Sequence, residues 1–136
     1  MRADKQKPGS RKTIASGKSR LDPIALEIHW KRLVSMVDEA STAFIRTSFS
    51  VLVREANDFA VVLTDAQGRS LAQSTMSIAS FIGSLPATVK HFLKVFPAHT
   101  LKPGDVMITN DPRMGTGHIH DVNICLLYTS PSPRDS

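Results

Sequence analysis

The stretch NDPRMGTGHIHD, residues 110–121, gathers two aspartates, two histidines and two glycines into twelve positions. Imidazole and carboxylate groups together suit borderline or hard divalent ions such as Zn, Mn or Fe. Such ions can polarise a carbonyl or lower the pKa of a bound water. His118 and Asp121 stand three apart, so a turn or helix puts them on one side and an extended strand puts them on opposite faces. Gly115 and Gly117, just upstream, allow the positive φ angles that such a turn can require. Asp111 lies seven residues before His118 and reaches it only if the loop is hooked, while His120 sits between the pair. Two or three ligands do not finish a site. From the chemistry alone, a divalent-metal loop and a plain Asp-capped turn both stand.

Phosphate binding is the other chemistry that Gly115-Thr116-Gly117 after a strand invites. The dinucleotide fingerprint G-x-G-x-x-G needs a third glycine where this chain has His120, and the Gly-Lys-Ser/Thr of a P-loop is absent. Neither motif is present, although backbone amides around two glycines can still form an anion nest.

The elements that must carry this loop follow from the pattern upstream. Asp22-Pro23 is a helix entrance, with Asp as N-cap and Pro where a missing N–H is harmless. Leu26, Trp30, Leu33, Val37 and Phe44 then recur at helical spacing and predict a long amphipathic helix to about Phe49, with Trp30 and Phe44 as core anchors. FAVVLTDAQGRSLAQ, 59–73, predicts a β-hairpin turning at Asp65-Ala66-Gln67-Gly68. Arg54, Glu55, Asn57 and Asp58, just before it, read as a solvated connection with a local ion pair.

A Ser/Thr/Gly-rich linker, 74–84, leads to a second helix, with Ser84 as cap, Pro86 in the first turn, Val89, Phe92, Leu93 and Phe96 on one face, and Pro97 at its end. His91 and His99 flank it as surface histidines. LKPGDVMITN, 101–110, predicts a Pro-Gly turn and a short buried strand, and DVNI, 121–124, the start of the next, so the loop bridges two strands. Helices and hairpin elements in succession, with no internal repeat or heptad, predict an α+β fold rather than a doubly wound sheet.

At 136 residues, with 41% hydrophobic and 21% charged residues, the chain has the size and balance of one globular domain at most. No apolar run approaches the roughly 18 residues of a spanning helix, and no apolar h-region follows the basic start, which makes a cytoplasmic setting the default. The net charge of +5 is local. Residues 1–20 hold seven basic side chains against Asp4, for +6, so the rest sums to −1. This argues against a nucleic-acid partner, and the tail itself reads as disordered for want of apolar residues. CLLYTSPSPRDS, 125–136, abandons the preceding periodicity, and Cys125 to Asp135 matches, without a mismatch, the translation of a sequencing-library transposase adapter. The expectation is therefore a native segment of 21–124 cut from a larger domain, with a non-native tail that takes the lone cysteine with it.

Five blocks carry a resemblance: LDPIALEIHWKRLVSMVDEASTAFIRTSFS, REANDFAVVLTDAQGRSLAQ, FIGSLPATVKHFL, LKPGDVMITNDP and GTGHIHDVN. In order and spacing they resemble the N-terminal region of the hydantoinase B/oxoprolinase family over residues 21–124. The resemblance implies a B-type subunit in a hetero-oligomer with a hydantoinase A-type subunit. That partner binds ATP and activates the carbonyl of a small cyclic amide such as a hydantoin or 5-oxoproline. Acetone and acetophenone carboxylases use a similar pair on ketones, and a non-catalytic assembly module packing through helix 21–49 is a third reading. The resemblance also implies a metal held by His118 and Asp121 with a further ligand from downstream. Asp111 becomes a near-site residue, as does His120, where relatives commonly have Pro. Arg54, Glu55 and Asp58 become site-supporting or subunit-contact residues. Many relatives read Gly-Gly-Thr-His where this chain has Gly-Thr-Gly-His.

Overall fold

The computed structural model describes residues 22–128. The basic tail expected over 1–20 lies outside the described residues, as do residues 129–136.

Asp22 opens the first helix, α1 (Pro23–Thr47), by accepting the Ile24 N–H. The helix stops just short of Phe49 because polar side chains compete with its hydrogen-bond ladder. Thr47 Oγ1 donates to the Ala43 carbonyl at 2.9 Å, and Ser48, already extended, accepts the Ser50 N–H on its hydroxyl. Ser50 then caps a short second helix, α2 (Val51–Glu55). The Trp30 anchor is not borne out, since Trp30 is 55% exposed and Leu26 is exposed with it. Among the described residues only the stretch of α1 around Val37 and Ser41 is buried, leaving the N-terminal half of the stripe uncovered. Phe44 is partly exposed but meets buried Phe59, ring centroids 5.6 Å apart and tilted.

The first hairpin pairs β1 (Val62–Thr64) with β2 (Ser70–Gln73), Leu63 opposite Ala72, and α1 packs on β2. Its turn forms where predicted. Asp65 Oδ1 accepts the Gln67 and Arg69 N–H groups at 3.0 and 2.8 Å, and Gly68 takes φ +71°. Gly68 also sits tight on the fourth helix, where a Cβ would stand 2.9 Å from Lys90 Cγ.

Residues 74–84 are more than a linker. Ser74 is buried, Ser77 Oγ accepts the Val61 N–H, and α3 (Ala79–Ile82) forms within the stretch. Because α3 runs almost directly into α4 (Ser84–Val95), Ser84 is not the cap. Gly83 holds that position in helical conformation, and the Ser84 hydroxyl donates to the Phe81 carbonyl. The buried positions of α4 are Thr88 and Phe92, while Phe96, expected on the same face, is exposed where the chain leaves the helix.

A second antiparallel hairpin pairs β3 (Val106–Thr109) with β4 (Asn123–Leu126), and α4 packs on β4. Only Met107 of β3 is buried, because one face of this small sheet is covered and the other is open. β4 continues through Cys125 and Leu126, the first two residues of the stretch that matches the adapter translation. The fold is α+β, with a long N-terminal helix, two separate two-stranded hairpins, and a core of Val37, Phe59, Ala72, Phe92 and Met107.

Candidate functional site

Residues 110–122 form the loop of the second hairpin, rooted where Thr109 faces Asn123 across the sheet. Its backbone hooks back on itself at two points. Thr109 Oγ1 accepts the Asp111 N–H at 3.1 Å, and the Asp111 carbonyl accepts the N–H groups of Met114 and Gly115 at 3.0 and 2.9 Å. Farther along, Asn110 Nδ2 donates to the Ile119 carbonyl at 3.2 Å. Gly117 takes φ +98°, the left-handed conformation the glycine permits. His118 to Asp121 then forms a turn, closed by the Asp121 N–H on the His118 carbonyl at 3.3 Å.

That turn puts His118 and Asp121 on one side, with Nδ1 and Oδ2 3.8 Å apart. The gap is too long for a hydrogen bond. It lies within the about 4 Å that a cation with bonds of ~2 Å to nitrogen and oxygen can span. Thr116 Oγ1 donates to Asp121 Oδ2 at 2.6 Å, which fixes the carboxylate and keeps it turned toward the imidazole. The pair therefore fits a divalent cation as two of its ligands. Among the described residues, no group of three His, Cys, Asp or Glu side chains gathers with metal-binding geometry.

The remaining candidates are placed otherwise. The Asp111 carboxylate is taken by Arg113, whose Nε donates to Oδ1 and Nη2 to Oδ2, both at 3.2 Å. Arg113's side chain and N–H hold that carboxyl below its ordinary range, and the guanidinium is raised in return. His120 is exposed in the turn and has no hydrogen bond from its side chain among the described residues. Arg54 on α2 and Asp58 after it are exposed, and the local ion pair expected around Arg54, Glu55 and Asp58 does not form among the described residues. Asn57 there takes φ +51°, and Glu55 is exposed like Arg54 and Asp58.

Thr116, Arg113 and Asn123 were not singled out from sequence. Asn123 had a signal: in an alternating strand it shares its face with Cys125, opposite inward-facing Met107, so a polar residue takes an interior position. Thr116 had none, because its hydroxyl meets Asp121 only through the turn at Gly117. Two broad, open surface grooves lie along α1, by Asp38, Thr42 and Arg46 and by Ile28, Lys31 and Met36. Apolar relief and an exposed helix flank generate such grooves. The convergent polar groups of the loop are the better pointer to chemistry.

Comparison with known proteins finds relatives of the described segment. A 5-oxoprolinase of Saccharomyces cerevisiae is 33% identical over 104 residues, 76% of this chain and 8% of the relative. A Pseudomonas sp. (strain NS671) protein, named for the B-type component of a D-/L-hydantoinase, is 29% identical over 109 residues, 79% of this chain and 18% of the relative. A 5-oxoprolinase of Dictyostelium discoideum is 30% identical over 116 residues, 82% of this chain and 9% of the relative. The chain thus spans less than a fifth of each of these relatives. No solved structure gives a significant match. The family described as hydantoinase B/oxoprolinase matches residues 22–126, which takes in α1, both hairpins and the whole His118/Asp121 loop. The chain is a member of the hydantoinase B/oxoprolinase family.

Proposed function

We propose that this chain forms part of the B-type subunit of an ATP-dependent hydrolase that opens cyclic amides of the hydantoin or 5-oxoproline type, with His118 and Asp121 holding a divalent cation. The supporting observation is the approach of His118 Nδ1 to Asp121 Oδ2 at 3.8 Å, inside a block matched to the family. Hydantoin and 5-oxoproline share a five-membered ring closed by an amide C–N bond, the bond that hydrolysis must break. The partner is an A-type subunit, which binds ATP and activates the ring carbonyl.

A bound Zn, Mn or Fe ion would polarise that carbonyl or lower the pKa of a water. The chain's own residues prepare the place. Thr116 occupies one lone pair of Asp121 Oδ2 and orients the carboxylate toward His118. Arg113 neutralises Asp111, so this second carboxylate is engaged rather than competing for a cation. Gly117 supplies the reversal that lets the Thr116 hydroxyl reach Asp121, and the 118–121 turn puts His118 and Asp121 on one side.

The test uses the complete subunit containing this segment together with its A-type partner. Metal content and ATP-dependent ring opening are measured for wild type, His118→Ala and Asp121→Ala. Loss of metal and turnover in both variants is expected. Equal metal and turnover in all three would refute the site, and bicarbonate-dependent consumption of a ketone in place of ring opening would reassign the reaction to a carboxylase.

A further inference from the structure

Asn123 begins β4 at the root of the loop and is 6% exposed, yet its Nδ2 has no hydrogen-bond partner among the described residues. A buried polar group left unpaired calls for an explanation, since most such groups in folded proteins are satisfied. Its location supplies one. A Cβ placed on Gly115 would stand 2.5 Å from Asn123 Nδ2 and 3.4 Å from its Cγ, so the side chain fills the space beneath this glycine.

Gly115 is itself held by the Asp111 carbonyl, and its neighbour Thr116 donates to Asp121 Oδ2, the atom that faces His118 Nδ1. Asn123 therefore touches the start of a short contiguous path to the candidate pair: Gly115, Thr116, Asp121, His118. Its cross-strand partner Thr109 secures the other limb of the loop by accepting the Asp111 N–H.

We infer that Asn123 is a positioning residue for the cation pair. Its carboxamide sets the height of Gly115 above the sheet, and through Thr116 the distance between Asp121 and His118. The inference rests on the cation-binding reading given above. It also gives Gly115 a definite role. Its φ is outside the left-handed region, so it is glycine to leave room for the amide rather than to reach an unusual backbone angle.

A double-mutant cycle on the complete subunit tests this. Mn2+ affinity is measured by calorimetric titration for wild type, Asn123→Ala, Gly115→Ala, the double variant and His118→Ala, with thermal unfolding of the cation-free proteins alongside. Each of Asn123→Ala and Gly115→Ala is expected to weaken Mn2+ binding by about 10–100-fold, the usual effect of losing a group that orients metal ligands. The double variant is expected to bind more tightly than the product of the two losses, because the new methyl at Gly115 occupies space that the amide has vacated.

Should Asn123→Ala fail to fold, Asn123→Ser, which keeps a short polar side chain without the amide, takes its place in the cycle. Unchanged affinity in the Asn123 variant, strictly multiplicative losses, or a coupling seen in melting temperature but not in affinity would each overturn the inference while leaving the cation site intact. Mn2+ binding that survives His118→Ala would instead sink the cation site, and this inference with it.

Discussion

At Asp38 one carboxylate clasps the segment that follows β2. It accepts the Thr75 N–H at 2.8 Å, the Ser74 hydroxyl at 2.9 Å and the Thr75 hydroxyl at 3.0 Å, tying the middle of α1 to the end of the first hairpin. The Thr75 N–H, then the Ser74 and Thr75 hydroxyls, hold its carboxyl below the ordinary value of 3.8. A carboxylate with a depressed folded-state pKa contributes stability that is fully present above its unfolded value and is lost as pH falls toward the folded one. Stability should therefore be level through mild acid and fall below about pH 4. In Asp38→Asn the urea midpoint at neutral pH should be lower and the acid fall shallower, though not abolished, because Asp65 and Asp111 are depressed in the same direction. An acid limb identical to wild type would remove Asp38 from the account. Gly68 offers a second residue-scale test. With φ +71° and Lys90 Cγ 2.9 Å from any added Cβ, Gly68→Ala should lose about 1–2 kcal/mol from the left-handed backbone alone. Gly83, with helical φ and nothing within 4 Å, should accept alanine with no loss or a gain of about 0.4–1 kcal/mol. Paired thermal melts compare the two, and equal shifts would show that the turn is not held as described.

Among the elements, α4 joins the two hairpins: it packs against β1 of the first and β4 of the second, and Phe92 is its buried apolar anchor. Phe92→Ala should cost about 3–5 kcal/mol, as for other buried phenylalanines. Phe96→Ala, at the exposed position that ends the same helix, should cost a small fraction of that. A denaturant series that ranks them the other way would displace α4 from this role. The existence and order of α1, the first hairpin, α4 and the strands flanking the loop were legible because each has its own local mark. These are Asp22-Pro23, the Asp65 to Gly68 turn, the helical spacing of Val89, Phe92 and Leu93, and the Pro-Gly turn before β3. What covers each face was not legible. Trp30 and Phe96 continue their stripes yet are exposed, because periodicity marks the apolar side of a helix without saying what packs there. Likewise, the spacing of His118 and Asp121 left open whether they meet. The decision lay in Gly117 and in the Thr116 hydroxyl, a contact that exists only after the loop has folded.

For the molecule as a whole, the feature that most constrains behaviour is the open face of the second hairpin. The cross-strand pairs Val106 with Leu126 and Ile108 with Ile124 lie together on it, each residue between 51% and 63% exposed, while Met107 and Asn123 on the opposite face are buried. A sheet with an apolar open face and a second face that is buried has the pattern of an interior layer, and a two-stranded sheet by itself is marginal in water. Along α1, Leu26 and Trp30 on one face and Ile24 and Ile28 on another are uncovered as well. Contiguous apolar surface of this kind drives association. The 136-residue chain, 14.9 kDa as a monomer, should therefore scatter light as a larger species at micromolar concentration. Replacing Ile108 and Ile124 together by Thr keeps the β-branched shape that suits a strand while making the open face polar, so the mass should fall toward the monomer value without loss of the hairpin. The same preparation should show no ring opening on its own, since on the proposed reading His118 and Asp121 would supply two ligands from the described residues, where a catalytic metal site ordinarily has three from protein. A wild-type chain that stays monomeric and turns over substrate unaided would contradict both expectations, because it would mean that the open face needs no cover and that two ligands are enough.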